Sequence, residues 1–303
     1  MSRASSPLSD AGSTDLSLFT EPASFRPATP PPSTAHFTLP PAPPSLGLSS
    51  ADGAAQDILL HLVGAHPLWG HHLWNAAPVL SRFLNAHAPT LLAQRSVLEL
   101  GAAAGLPCVV ARKRGAATTV ASDWPDIELL ANLRRNVEAV GGIAEGFVWG
   151  TDPAALLSHL PCDSSASAAA PRFDLLLLSD LVFNHQAHPA LLKTLYHTLS
   201  AAPSCASVSP QSSSQSEASA SARSSSSSSA TADEASSSSP RSRSRSTAHD
   251  APPEGRSAAP QTPCALVFFS HHRPQLAHKD MRFLALARKC GWRTEEVGRW
   301  RMP

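Results

Sequence analysis

Five stretches of this chain carry residue types that could hold a nucleoside-containing ligand. They are the small-residue turn Gly101-Ala102-Ala103-Ala104-Gly105, then Asp123, Trp149, Ser179-Asp180 and His271-His272. Small residues let a backbone approach a ligand closely, and a helix opening at Leu106-Pro107 aims free N–H groups at it. An acid about 20 residues after such a turn is placed to accept hydrogen bonds from ribose hydroxyls. A tryptophan at the next strand end can cover an adenine. Each feature alone has a plainer use: small residues pack, and an acid can cap a helix. Their succession is what points to a nucleoside cofactor.

The elements that must position them follow from hydrophobic patterning. Val97-Leu98-Glu99-Leu100 reads as a strand running into the turn, and Pro107 to Arg114 as a short helix closed by Gly115. Thr118 to Ser122 is a second strand, ending in Asp123. From Asp126, helical spacing of Ile127, Leu130, Leu133, Val137 and Val140 marks a helix stopped by Gly141-Gly142. Gly146 to Gly150 is a third strand, Asp174 to Ser179 a fully apolar fourth, and Cys264 to Ser270 a fifth. Helices are predicted at Ala76–His87, Pro189–Leu199 and Gln275–Cys290, with a sixth strand over Arg293–Trp300. Ile58 to Val63 is a further strand-like run. Strands alternating with helices predict an α/β fold, a doubly wound, mostly parallel Rossmann-like sheet. Ligands of such sheets sit beyond the C-terminal strand ends, where all five stretches fall.

Composition divides the rest. Residues 1–52, rich in Ser and Pro, are predicted to be a disordered tail, and 200–262, with its Ser runs and R-S-R-S-R-S at 241–246, a disordered insertion. The folded domain would then comprise 53–199 and 263–303. The formal net charge is +1, so nothing predicts a nucleic-acid partner for the folded part. The five cysteines lack metal-ligand spacing and read as reduced thiols. Three histidines among residues 66–75 have no acid or thiol nearby, so no metal is expected, and Trp69 and Trp74 are expected to line a pocket. No apolar run spans a bilayer and no signal core opens the chain, which makes a cytoplasmic monomer the expectation.

NAD(P) and S-adenosylmethionine are the candidate cofactors, and the turn lacks G-x-G-x-x-G spacing. Instead E-L-G-A-A-A-G-L-P (99–107) resembles the first motif of seven-strand S-adenosylmethionine-dependent methyltransferases. The likeness extends through P-L-W-G-H-H-L-W-N-A-A (67–77), S-D-W-P-D (122–126), L-L-A-N-L-R-R-N-V (129–137), G-F-V-W-G (146–150), L-L-S-D-L-V-F-N-H (177–185) and V-F-F-S-H-H-R-P (267–274). In that order they resemble the fungal protein N-terminal and lysine methyltransferases of elongation factor 1-alpha, a family once grouped as nicotinamide N-methyltransferase-like.

The resemblance implies S-adenosylmethionine contacts at Trp74, Gly101, Ala102, Ala103, Asp123, Trp149 and Ser179. It also places Asp180 and Asn184 beside the acceptor amine, as the groups that would orient it. The implied acceptors are the N-terminal glycine of elongation factor 1-alpha and the adjacent lysine. A small-molecule amine methyltransferase and a non-catalytic binding protein of the same fold are the alternative readings. The family's turn is typically G-A-G-A-G, so Ala103 stands where glycine is usual; a positive φ there would cost about 1 kcal/mol. The family also continues past residue 303 with another strand, so the last strand is expected to be absent.

Overall fold

The computed structural model describes residues 30–161, 171–200 and 260–300. The expected disorder of residues 1–29 and 201–259 lies outside them, as do Cys162 and Cys205.

Five parallel strands form the central sheet: β3 (Ser96–Leu100), β4 (Thr118–Asp123), β5 (Ile143–Gly146), β6 (Leu175–Ser179) and β7 (Cys264–Phe268), in the order β5-β4-β3-β6-β7. In β3 and β6 nearly every side chain is buried, because both lie mid-sheet with helices on each face. Side chains alternate between the faces. Val97, Leu175, Leu177, Leu266 and Phe268 pack on one side with α1 (Ala76–Ala86), α3 (Leu106–Lys113) and α4 (Ile127–Val137). Leu98, Leu100, Leu176 and Leu178 face α6 (His188–Thr198) and α8 (Arg282–Lys289). The short helices α2 (Ala88–Leu91) and α5 (Ala154–Leu157) bury Leu91 and Leu156. Strand order reverses between β3 and β6, and the crevice at which sheets of this kind bind ligands is expected outside their C-terminal ends. The doubly wound parallel architecture is as expected from the alternating pattern.

The two-stranded hairpin of β1 (Ser33–Leu39) and β2 (Gln56–Leu62) departs from expectation. Disorder through residue 52 is overturned for residues 33–39, whose composition conceals a period-two pattern. Phe37 and Leu39 are buried against the core together with Ile58, Leu60 and Leu62. Arg114 holds the hairpin down from the C-terminal end of α3. Fully buried, it donates from Nε to Asn85 Oδ1 (2.6 Å), from Nη1 to the Asp52 carbonyl (2.9 Å) and from Nη2 to the Pro40 carbonyl (2.8 Å). Asn136 joins β2 to the glycine turn: its Nδ2 donates to the His61 and Ala104 carbonyls, and its Oδ1 accepts from His61 N.

Three element boundaries also move. The third strand of the sheet is Ile143–Gly146 rather than 146–150, because the turn after α4 ends at once in Gly141, at φ +78°, and Gly142. Phe147 N then donates to the Asp123 carbonyl and the chain leaves the sheet, so Trp149 still lies beyond the strand end. The helix expected over 275–290 is broken into α7 (Ala277–Asp280) and α8, with Asp280 drawn inward at the break. Residues 293–300 form no strand. They run beside β7, and the Trp300 ring packs 5.0 Å from Phe268 and 6.0 Å from Phe83. A groove of 1060 Å³ lies there, lined by Phe268, Phe283, Trp292 and Trp300, away from the glycine turn.

Candidate active site

The turn after β3 is built from strained backbone. Gly101 has φ +60°, and an added Cβ would come within 2.6 Å of Leu181 Cδ2 and 3.1 Å of Trp149 Cζ2. Only glycine suits both that conformation and that space. Ala103 takes φ +48°, a region that costs an L-residue about 1–2 kcal/mol. Two bonds hold the turn in place: Ala102 N donates to the Ser122 carbonyl (3.0 Å) and Ala103 N to Asp123 Oδ2 (2.6 Å). Asp123 Oδ1 accepts from Trp124 N at 2.7 Å. Burial pushes the Asp123 carboxyl above its usual value, although those two N–H groups and the charge of His66 pull against it.

Beneath the turn lies Glu99, which opens the E-L-G-A-A-A-G-L-P motif but was given no role of its own from the sequence. It is 1% exposed and falls on the α3 face of β3, among apolar side chains. Its Oε2 accepts from Cys108 N at 2.8 Å, satisfying a donor in the first turn of α3. Burial, with a smaller contribution from the Asp123 charge, raises its pKa to about 8 against the Cys108 hydrogen bond. Glu99 is thus a neutral acid at and below neutrality.

Across the crevice, β6 ends in Ser179 and Asp180. Asp180 is 4% exposed and sits at φ +53°. Its Oδ1 accepts from Ser270 N (2.8 Å) and Ser270 Oγ (3.2 Å), and His272 Nε2 is 3.3 Å away. Among the described residues its Oδ2 has no partner, and neither has Ser179 Oγ. Two buried polar atoms without partners among the described residues thus stand together at one strand end, beside a backbone held at positive φ.

An aromatic wall closes this end. The Trp74 and His272 rings are 4.7 Å apart, Phe183 is 5.7 Å from His272 on another side, and Trp69, at φ +62° and 53% exposed, lies 6.0 Å from Trp74. Behind it, Asp280 accepts from His185 Nε2 (2.6 Å) and His271 Nδ1 (2.7 Å), tying the loop after β6 to the loop after β7. Burial works to raise the Asp280 carboxyl, but the two imidazoles outweigh it and hold it low.

The turn residues 101–103, Asp123, Trp149, Ser179 and Asp180 therefore share the C-terminal edge of the sheet, with Trp74 joined to Asp180 through His272. Asn184 does not join them: its side chain is exposed and makes no hydrogen bond among the described residues. His271-His272 was one of the five stretches singled out at strand ends, without a role assigned to either histidine, and Ser270 was not singled out. Asp280 gave no signal, lying mid-helix and far along the chain from His185. Among the described residues no cluster of ligands could hold a metal ion, and no helix is long and apolar enough to cross a membrane.

Comparison with known proteins agrees with this geometry. Residues 64–220 match a family model described as lysine methyltransferase. A protein N-terminal and lysine N-methyltransferase EFM7 of Cryptococcus neoformans is 37% identical over 276 residues, covering 85% of this chain and 75% of that protein. Its counterpart in Schizosaccharomyces pombe is 30% identical over 285 residues, covering 92% and 83%. Among solved structures, a 16S rRNA methyltransferase of T. thermophilus in complex with AdoMet and guanosine is 20% identical, covering 50% of this chain and 33% of its own, with a TM-score of 0.28.

Proposed function

The chain belongs to the lysine methyltransferase family, and we propose from that premise that it methylates the N-terminal α-amine and adjacent lysine of elongation factor 1-alpha in the cytoplasm. The observation that carries this reading is the buried carboxylate of Asp180 at the C-terminal end of β6, whose Oδ2 has no hydrogen-bond partner among the described residues.

S-adenosylmethionine, when bound, supplies an electrophilic methyl group on a sulfonium. The residues present fit it: the Gly101 position has room for no Cβ, Ser179 Oγ lacks a partner among the described residues, and Trp149 lies against Gly101. Gly101, Ala102 and Ala103 would form the floor, with Trp149 and Trp74 as aromatic walls. Asp123 already accepts two N–H bonds, and its remaining lone pairs can take hydroxyls.

An amine must be neutral to attack. An α-amine, with its pKa of about 7.7–8.0, is partly neutral near physiological pH, whereas a lysine at about 10.4 is not. The Asp180 carboxylate would hold the acceptor ammonium and fix its direction. Aromatic faces of Phe183 and Trp74 would flank its cationic forms and exclude water. The contribution is positioning, with no covalent enzyme intermediate.

The test is mass spectrometry of an elongation factor 1-alpha N-terminal peptide after incubation with the full chain and S-adenosylmethionine. Methyl groups should appear on the α-amine and the neighbouring lysine. Asp180→Asn, which keeps shape and removes charge, should reduce turnover by about 100-fold while leaving cofactor affinity within threefold. Unmodified peptide, with a simple pyridine or alkylamine methylated instead, would favour the small-molecule reading.

A further inference from the structure

His272 stands in an unusual place. One ring nitrogen, Nε2, lies 3.3 Å from Asp180 Oδ1, while the other oxygen of that carboxylate has no partner among the described residues. The ring is held edge-on by Trp74 at 4.7 Å and Phe183 at 5.7 Å, and its side chain is 28% exposed where that of Asp180 is 2% exposed. A path to solvent therefore runs through the imidazole rather than the carboxylate. No side-chain hydrogen bond engages His272 among the described residues. The Asp280 clamp on His185 and the adjacent His271 fixes the loop that carries it.

We propose that His272 accepts the proton of the substrate ammonium that Asp180 holds, and so makes the chain competent toward lysine as well as an α-amine. This rests on the methyl-transfer reading given above. His272 Nε2 lies 3.3 Å from Asp180 Oδ1 and is the more exposed of the two, so an ammonium drawn to this carboxylate from solvent would meet the imidazole. The proton passes from nitrogen to Nε2, leaving a neutral amine and an imidazolium paired with Asp180. The amine lone pair forms the new N–C bond, the S–C bond breaks with its electrons remaining on sulfur, and the imidazolium returns its proton to water. Histidine suits the task because imidazole exchanges protons near neutrality.

The consequence is selective. At pH 8 roughly half of free α-amines are neutral but only about 0.4% of lysines are, so lysine depends on the base and the α-amine far less. The titratable groups around His272 are Asp180 from the β6 loop, His271 on its own loop, Asp280 of α7 with His185, and His72 beyond Trp74. His272→Gln leaves all of them in place.

The experiment compares wild type with His272→Gln on two peptides, one with a free α-amine and a blocked lysine, the other the reverse. The expected result is a loss of lysine kcat by about 100-fold, a loss on the α-amine of less than about fivefold, and retention of cofactor and peptide affinity by calorimetry. Lysine activity of the variant should recover as pH rises toward the amine's own ionisation. In His272→Gly, added imidazole should restore lysine methylation. Equal losses on both peptides with no imidazole rescue, or an unchanged pH profile, would overturn the proposal. A wild type that methylates neither peptide would instead refute the methyl-transfer reading on which it rests.

Discussion

Replacing Glu99 by glutamine should stabilise the protein at neutral pH relative to wild type, and this advantage should shrink in acid. Glu99 is a carboxyl on an apolar sheet face, with one N–H partner and no cation, and its pKa rises from 4.5 to about 8. In the unfolded chain it ionises around 4.5. Between these values the native state keeps a proton that the unfolded state releases. Stability from this group is therefore complete below about pH 4.5, falls as pH rises, and stops falling above about 8. At about 1.4 kcal/mol per unit, the two units between pH 5.5 and 7.5 cost wild type about 2 to 3 kcal/mol. The substituted glutamine accepts the same Cys108 N–H and does not titrate, so the variant's curve lacks that slope. Urea denaturation of both proteins at the two pH values reads the difference, since Asp123, Asp126, Asp280 and His87 are present in both. Parallel curves would show that Glu99 is ionised in the native state and would refute the reasoning.

Two further substitutions probe the frame and the turn. Arg114→Met leaves the Pro40 and Asp52 carbonyls and Asn85 Oδ1 without their donor. It should cost about 3 kcal/mol in urea unfolding and expose the β1–β2 hairpin to limited proteolysis; a change below about 0.5 kcal/mol would mean the hairpin is held by its apolar face alone. Gly101→Ala forces a methyl onto Leu181 and Trp149 at positive φ. It should cost about 2 kcal/mol of stability and at least about tenfold in S-adenosylmethionine affinity, and unchanged values for both would remove the turn from the cofactor site.

Much of the architecture was legible because periodicity reports burial directly. The apolar β6 run, the helical spacing of α4 and the strand-turn-helix at 97–107 each needed only local pattern. The sheet order then put their ends on one edge, which is why Gly101, Asp123, Trp149 and Asp180 come together. The hairpin escaped because prolines at 40–44 dominate a window in which only Phe37 and Leu39 are buried. Arg114 read only as the last residue of a short helix, since nothing local tells that two carbonyls from a distant loop converge on it. Trp300 holds its segment through aromatic packing rather than strand pairing, so its apolar residues mimicked a strand. The link between Asp180, Ser270 and His272 spans about 90 residues and comes only from β6 lying beside β7. Ala103 is the instructive case: it occupies the left-handed conformation that glycine would occupy without strain, with Asp123 Oδ2 on its N–H.

The most direct test of the account is a calorimetric titration of the full chain with S-adenosylmethionine. Wild type should bind with a dissociation constant in the micromolar range, and Asp123→Ala, which releases Ala103 N and Trp124 N, should bind at least about tenfold more weakly. A cooperatively folding chain that gives no binding heat at several temperatures would contradict the assignment of the β3 and β6 strand ends as a methyl-transfer site.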